Sequence, residues 1–431
     1  MTNIATSLVG VMALLLGSGL WIGLGLIATG VVMISLFRPA MPVSKLLAQQ
    51  AWNVLSSPEL LALPLFILMA EVLVRTDISR ALFTGLTPWL RRVPGRLAHV
   101  NVLGCTMFAS VCGSSGATTV TVGRITATEL LNRGYDRSLV IGSLAGAGTL
   151  GFLIPPSTIM IIYGVMAEES ILRLFMAGIL PGALLAVAYM GYIGLRGILK
   201  PDAIGEVPPK TTLREKLSAL KELGPLLMLI LFVIGSMYGG IASPTEAAAA
   251  GVLGAIVIGV AQRKLDLRGL IAAARQAAEN SAMIGLIMVG AMFLSTAIGY
   301  LGLPRYIAGT INAWGLSPIA LIAVLLVFYI LLGMVMEGLA IIVMTLPITL
   351  PLVEAAGYDK VWFGIFLVIV VEMAQISPPV GFNLTVIQRL TGDSIAKVTR
   401  ATMPFFLIMA AFVFLIAVFP GTVSVVPDML R

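Results

Sequence analysis

The sequence predicts an all-α polytopic membrane protein made of inverted repeats, with two re-entrant hairpins and two broken helices. Three observations predict this fold. Only 11% of the 431 residues are charged and 59% are hydrophobic, whereas a soluble domain carries about 25% charged residues to clothe its surface. Apolar segments recur from one end of the chain to the other. Finally, a Pro-Pro pair interrupts the apolar pattern twice, in GFLIPPSTIMII (Gly151 to Ile162) and in ISPPVGFNL (Ile376 to Leu384).

In chain order the apolar segments cover 4–17, 19–37, 57–74, 97–132, 137–168, 172–195, 224–240, 247–263, 281–300, 318–353, 360–388 and 402–420. The amino terminus, MTNIATSLVG, has no basic n-region, so its first apolar segment reads as retained rather than cleaved. Most segments suit single crossings, which need about 20 residues each. Two read differently. In 97–132 a small, polar tip, CGSSGA (Cys112 to Ala117), divides the segment, and in 318–353 the tip GMVMEG (Gly333 to Gly338) does the same. The arms on either side are too short for comfortable crossings, so both segments are predicted to enter and leave the bilayer on one side. The stretches 137–168 and 360–388 are the broken helices.

The halves repeat one another. Asp136 in RGYDRS, Pro155-Pro156 and Pro181 return at constant spacing as Asp359 in AGYDKV, Pro378-Pro379 and Pro404. The predicted organisation is a first repeat over 1–199, a cytoplasmic linker over 200–223 and a second repeat over 224–431. Most of the 27 Lys and Arg residues fall in short polar stretches, Arg75 to Arg96, Arg133 to Arg137, Arg196 to Lys221, Arg263 to Arg275 and Arg389 to Arg400. Assigning those stretches to the cytoplasm satisfies the positive-inside bias. The first hairpin then opens to the cytoplasm and the second away from it, so the repeats are inverted. Basic, amphipathic KLDLRGLIAAARQAAEN (Lys264 to Asn280) reads as an interfacial helix, with its counterpart around Met41 to Ser57. The net charge of +7 is accounted for by membrane topology, and no nucleic acid is implied.

Pro-Pro removes two N–H donors and strands the carbonyls one turn earlier. In lipid each unsatisfied group costs roughly several kcal/mol, so broken backbone persists only where protein buries it or where it lines a cavity. Broken helices at matching repeat positions therefore point to a midplane binding site. Freed carbonyls can meet a cation, and half-helix N-termini can face an anion. Candidate residues are Gly113, Ser114, Ser115 and Gly116 at the first tip, and Thr149, Gly151, Ile154, Pro155, Pro156 and Ser157 at the first break. Gly333, Met336, Glu337 and Gly338 occupy the second tip, and Glu372, Gln375, Ser377, Pro378, Pro379, Gly381 and Asn383 the second break. Glu337 and Glu372 are carboxylates in apolar surroundings, a placement costly enough to suggest function. Arg124 lies some three turns from the first tip, close enough to the cytoplasm to snorkel. Cys105 and Cys112 read as packing residues, and His99 has no companion ligands. SPTEAAAA at Ser243 is a capping box. No P-loop, catalytic triad or paired-His motif appears, so an enzyme is not expected.

GSSGATT at Gly113, GTLGFLIPPSTIMIIYG at Gly148, LFMAGILPG at Leu174, GGIASPTEAAA at Gly239 and EMAQISPPVGFNL at Glu372 together resemble the large membrane subunit of TRAP (tripartite ATP-independent periplasmic) transporters. The resemblance runs through nearly the whole chain. It implies a multi-pass protein of the bacterial inner membrane that imports a small organic anion, typically a carboxylate, on a Na+ gradient. It implies an elevator-type ion-transporter fold, no cofactor beyond the coupling ion, and membrane lipid around the chain. The implied partners are a periplasmic substrate-binding protein and a small four-helix membrane subunit, expected here as a separate chain. Na+ is expected at hairpin tips and broken-helix loops, with Ser114, Ser115 and Ser377 as its nearest ligands. The second tip reads Met336-Glu337-Gly338, where many members carry an acidic residue followed by proline. A stand-alone Na+/carboxylate symporter of similar fold is the alternative; a channel or an intramembrane enzyme is further away.

Overall fold

A computed structural model describes residues 1–207, 211–313, 315–334, 336–378 and 381–429. Helices account for nearly all of it. The first half holds α1 (Thr2–Gly17), α2 (Ile22–Phe37), α3 (Val43–Leu55), α4 (Ala62–Val74) and α5 (Ile78–Leu90). It continues with α6 (His99–Cys112), α7 (Ser115–Asn132), α8 (Arg137–Gly148), α9 (Thr158–Ala167) and α10 (Ile171–Leu199). The second half holds α11 (Leu213–Tyr238), α12 (Pro244–Ala261), α13 (Leu267–Tyr300), α14 (Leu303–Ala313) and α15 (Pro318–Gly333). It ends with α16 (Gly338–Ala355), α17 (Lys360–Gln375), α18 (Phe382–Thr391), α19 (Ile395–Val418) and α20 (Gly421–Met429).

The same element order runs through both halves, and the packing is reciprocal. Helix α2 lies along α13 of the other half, and its counterpart α12 lies along α4. These four form one body. The hairpin α6–α7, the broken pair α8–α9, the hairpin α15–α16 and the broken pair α17–α18 gather with α10 and α19 into another. Asp136 and Asp359 occupy equivalent places as caps, their carboxylates accepting from the amides of Leu139 and Val361. Among the described residues six helices are able by length and composition to cross a membrane, or seven if the bent pair α3–α4 is one span.

Several elements differ from the sequence-based expectation. The stretch 264–280 is not a separate interfacial helix: it is the first part of α13, which runs unbroken for 34 residues. Its counterpart does break, with a 55° bend between α3 and the turn that leads into α4. The cause is local. Pro58 opens that turn after Ser56 and Ser57, whereas no proline stands between Asp266 and Tyr300. The expected linker 200–223 is helical from Leu213, where Thr212 and Glu215 form a capping box. Among the hairpin arms α7 and α16 are longer than expected, at 18 residues each, and α16 is long and apolar enough to span by itself. Helix α5 falls outside the apolar segments because only one face is apolar: Ile78, Leu82, Phe83, Leu86 and Leu90 are buried at helical spacing.

Small residues bring the two halves into contact. In membranes helices associate through close packing rather than through exclusion from water. Helix α8 reads RSLVIGSLAGAG, and a Cβ added at Gly142 would stand 2.2 Å from the carbonyl oxygen of Ala401 on α19. At Gly146 the same addition would meet the Phe405 ring at 2.5 Å. Gly142→Ala is therefore expected to destabilise the protein by about 1–3 kcal/mol through overpacking. Gly191→Ala, on an open face of α10, should be neutral or slightly stabilising. Thermal unfolding of both variants in detergent checks the contrast, and equal transitions would contradict the α8–α19 contact.

Candidate functional site

The break in the first repeat is filled from within the protein. Helix α8 ends at Gly148, a single 3-10 turn carries Thr149 to Gly151, and Ser157 caps α9 by accepting from Met160 N–H at 3.4 Å. Every residue from Thr149 to Ser157 is buried, Ile154, Pro155 and Pro156 included. The first hairpin tip docks on this break. Gly113 adopts a left-handed conformation with φ 59°, which glycine tolerates without strain. Its carbonyl accepts from Thr158, from Oγ1 at 2.8 Å and from N–H at 3.3 Å. A Cβ at Gly113 would lie 2.7 Å from the Pro156 carbonyl, and one at Gly151 would lie 2.6 Å from Cα of Ser115. A hairpin whose tip is seated on the interior of another span is re-entrant.

The second repeat builds the same joint with different contacts. Gly333 and Gly338 flank the tip of α15–α16. A Cβ at Gly333 would stand 2.0 Å from Cβ of Ala374, and one at Gly338 would meet Val371 at 2.5 Å and the Gln375 side chain at 3.0 Å. Beyond α17, Ser377 turns its hydroxyl back onto the Ala374 carbonyl at 2.8 Å. Gly381 N–H donates to the Ser377 carbonyl, and α18 begins immediately afterwards. Pro378 is exposed, while Pro379 lies outside the described residues.

Three candidates from distant parts of the sequence meet at one hydroxyl. Ser115 Oγ lies 2.8 Å from Glu372 Oε2 and 3.0 Å from the Gly148 carbonyl, both available to accept its proton. Asn383 Nδ2 donates to Ser115 Oγ at 2.6 Å. The other oxygen of Glu372 accepts from the Phe152 N–H at 3.2 Å. Hairpin one, both breaks and the end of α17 are thus joined through one carboxylate. Ser115, Glu372 and Asn383 have zero exposure, and no Lys or Arg pairs with Glu372 among the described residues. A carboxylate that deep needs more than two donors to offset the loss of hydration. Two further atoms are buried without a hydrogen-bond partner among the described residues, Asn383 Oδ1 and Gln375 Nε2. Nor does any hydrogen bond there reach the carbonyls of Gly151 and Phe152. The surplus is in acceptor oxygens, the donor set of a hard cation. No three His, Cys, Asp or Glu side chains converge as a metal site among the described residues.

The repeats are not equivalent here. Thr149, which matches Glu372 in the repeat, donates to Gly146 O at 2.6 Å and lies 3.2 Å from the Tyr189 hydroxyl. It is part of the packing around α10 and does not join the cluster.

Beside the cluster is a cavity of about 210 Å3 between the two bodies. Cys112, Ser114, Ala117, Phe152, Thr158, Glu337 and Leu339 wall it on one side, and Glu71, Val74, Asn280 and Met283 on the other. Ser114 caps α7 and Glu337 precedes α16 with its side chain exposed. Both tips thus border one space, with Met336 half-buried next to Glu337 and Gly116 held against the Phe382 ring. Ser377 does not border the cavity; its hydroxyl donates to the Ala374 carbonyl, which leaves its oxygen lone pairs open. Arg124 is exposed and does not border the cavity. Sequence reasoning passed over Glu71 and Asn280. Glu71 was detectable as a carboxylate inside an apolar segment, although it pairs with Arg75 at 2.7 Å; Asn280 gave no such signal.

The chain as a whole is similar to known proteins. Residues 9–422 match the family model described as the tripartite ATP-independent periplasmic transporter, DctM component. The chain is 32% identical over 406 residues to the C4-dicarboxylate TRAP transporter large permease protein DctM of Pseudomonas aeruginosa, covering 93% of each. It is also 32% identical to the isethionate TRAP transporter permease protein DctMQ of Oleidesulfovibrio alaskensis, over 95% of this chain and 64% of that longer protein. Among solved structures the YdaH transporter of Alcanivorax borkumensis shares the fold, with a TM-score of 0.62 over 87% of each chain at 14% identity. The chain belongs to the DctM-component family and is the large permease subunit of a TRAP transporter, a multi-pass membrane protein and not an enzyme.

Proposed function

We propose that this subunit imports a small organic anion, a carboxylate in the first instance, across the bacterial inner membrane by coupling it to Na+. The carrying observation is the buried Ser115–Glu372–Asn383 cluster, rich in oxygen acceptors and placed where the first hairpin tip meets both helix breaks. In this reading Na+ is held by Ser115 Oγ, Asn383 Oδ1 and the carbonyls at the first break, with Glu372 supplying the neutralising charge. Ion binding orders the loops that border the cavity, and the anion enters between Ser114, Thr158 and the second tip. Each net positive charge carried inward yields roughly 2.3 kcal/mol per 100 mV, so excess Na+ drives accumulation. The hairpins and broken helices move as one body against α2, α4, α12 and α13, because the cavity lies on the seam between these bodies.

A periplasmic binding protein delivers the substrate, and a small four-helix membrane subunit completes the assembly. Family membership supports both partners, and the relatives above that are named for C4-dicarboxylates and for isethionate support the anion class.

Ser115→Ala and Asn383→Ala are each expected to raise the Na+ concentration for half-maximal uptake about tenfold, the effect of losing about 1.4 kcal/mol of polar interaction. Uptake into proteoliposomes holding the assembled complex measures this, with thermal unfolding as the control for folding. Unchanged Na+ dependence in both variants refutes the ion assignment. Separately, a tagged chain is expected to co-purify with a small four-helix membrane subunit, and uptake by that pair should require the binding protein. Full uptake by the chain alone favours a stand-alone symporter instead.

A further inference from the structure

A second built pocket lies far from the hairpin tips, at the ends of α8 and α19. It is a cavity of about 350 Å3 bordered by Asp136, Arg137, Ser138, Asp393, Lys397 and Arg400, among others. Its charges do not cancel. Arg137 holds Asp393 through both carboxylate oxygens, at 3.0 and 2.8 Å, and also donates to the Thr391 carbonyl. Asp136 accepts from Arg196 at 2.8 Å and caps α8. Each acid is thus matched within the protein. Lys397 and Arg400, one turn apart on α19, are exposed and have no ion pair or hydrogen bond from their side chains among the described residues. The cavity carries two surplus positive charges, and the Ser138 hydroxyl borders it as a further donor.

The outer face of α19 continues this line into the bilayer. Met403, Leu407 and Phe414 are exposed and recur at helical spacing below Arg400. From Arg400 to Phe414 the stripe extends on the order of 20 Å at 1.5 Å per residue, about the length of an acyl chain. A cationic cavity at the cytoplasmic boundary with an apolar track leading from it matches one phospholipid with a charged head.

We infer that this cavity binds the headgroup of an anionic phospholipid, with Lys397 and Arg400 on its phosphate and an acyl chain along Met403, Leu407 and Phe414. Free phosphate shares the headgroup chemistry but makes no use of the track. Basic pockets between transmembrane helices on the cytoplasmic side are suited to such lipids. The bound lipid then fastens the contact at which the two halves join through Arg137 and Asp393.

Native mass spectrometry of the purified complex, titrated with phosphatidylglycerol, phosphatidylcholine or inorganic phosphate, tests the inference. Phosphatidylglycerol is expected to bind about tenfold more tightly than phosphatidylcholine. K397Q/R400Q should lose that preference, while R268Q, which removes an exposed arginine elsewhere on the same membrane side, should keep it. A thermal transition equal to wild type shows that the double variant is folded; if it is not, the single variants K397Q and R400Q carry the comparison. Equal binding of the two lipids, a preference that survives the double variant, displacement of the lipid by equimolar inorganic phosphate, or a polypeptide of the complex occupying the α19 face would each overturn the inference.

Discussion

Main-chain polar groups inside a bilayer need partners, and that requirement organises this molecule. A continuous helix meets it alone; a broken one does not. Here the first break is closed by foreign elements that come to it, and the second partly by its own turn. Gly113 brings a carbonyl to Thr158, Glu372 brings a carboxylate to the Phe152 N–H, and Ser377 folds back on Ala374. The hairpins and the broken helices therefore exist as a set. Glycine at the tips follows from this arrangement, because the contacts at Gly113, Gly151, Gly333 and Gly338 leave no room for a side chain.

The duplication supplies two copies of that joint, and the chain uses them differently. The first joint gathers the oxygen-rich cluster, while the second is closed mostly by tight apolar contact at Ala374 and Val371. Glu372 has Thr149 as its counterpart, and the threonine is engaged with Gly146 and Tyr189 instead. The bend between α3 and α4 has a straight α13 as its counterpart. Such differences make the two joints of a repeated frame chemically unlike.

Much of the fold was legible in the sequence because lipid leaves few options. Apolar length, tip glycines, the paired prolines and the Lys and Arg distribution each answer to a physical rule acting locally. What escaped was set by context. Helix α5 is amphipathic, so a search for apolar segments passes over it although its buried face is regular. The stretch 264–280 has the composition of a surface helix, yet it continues into α13 because nothing in it stops the helix. In the site, Ser115, Glu372 and Asn383 were individually visible as polar residues in apolar surroundings. Their meeting was not, because sequence spacing carries no information about which tip reaches which break.

The span of chain between Ser115 and Glu372 also bears on how the protein is made. The two residues are 257 positions apart, so the ribosome has exposed the first hairpin long before the carboxylate that it will meet. During synthesis the Phe152 amide waits for its acceptor within the membrane, whereas the Ser115 hydroxyl already has the Gly148 carbonyl, and the first half remains unfinished until the second has been inserted.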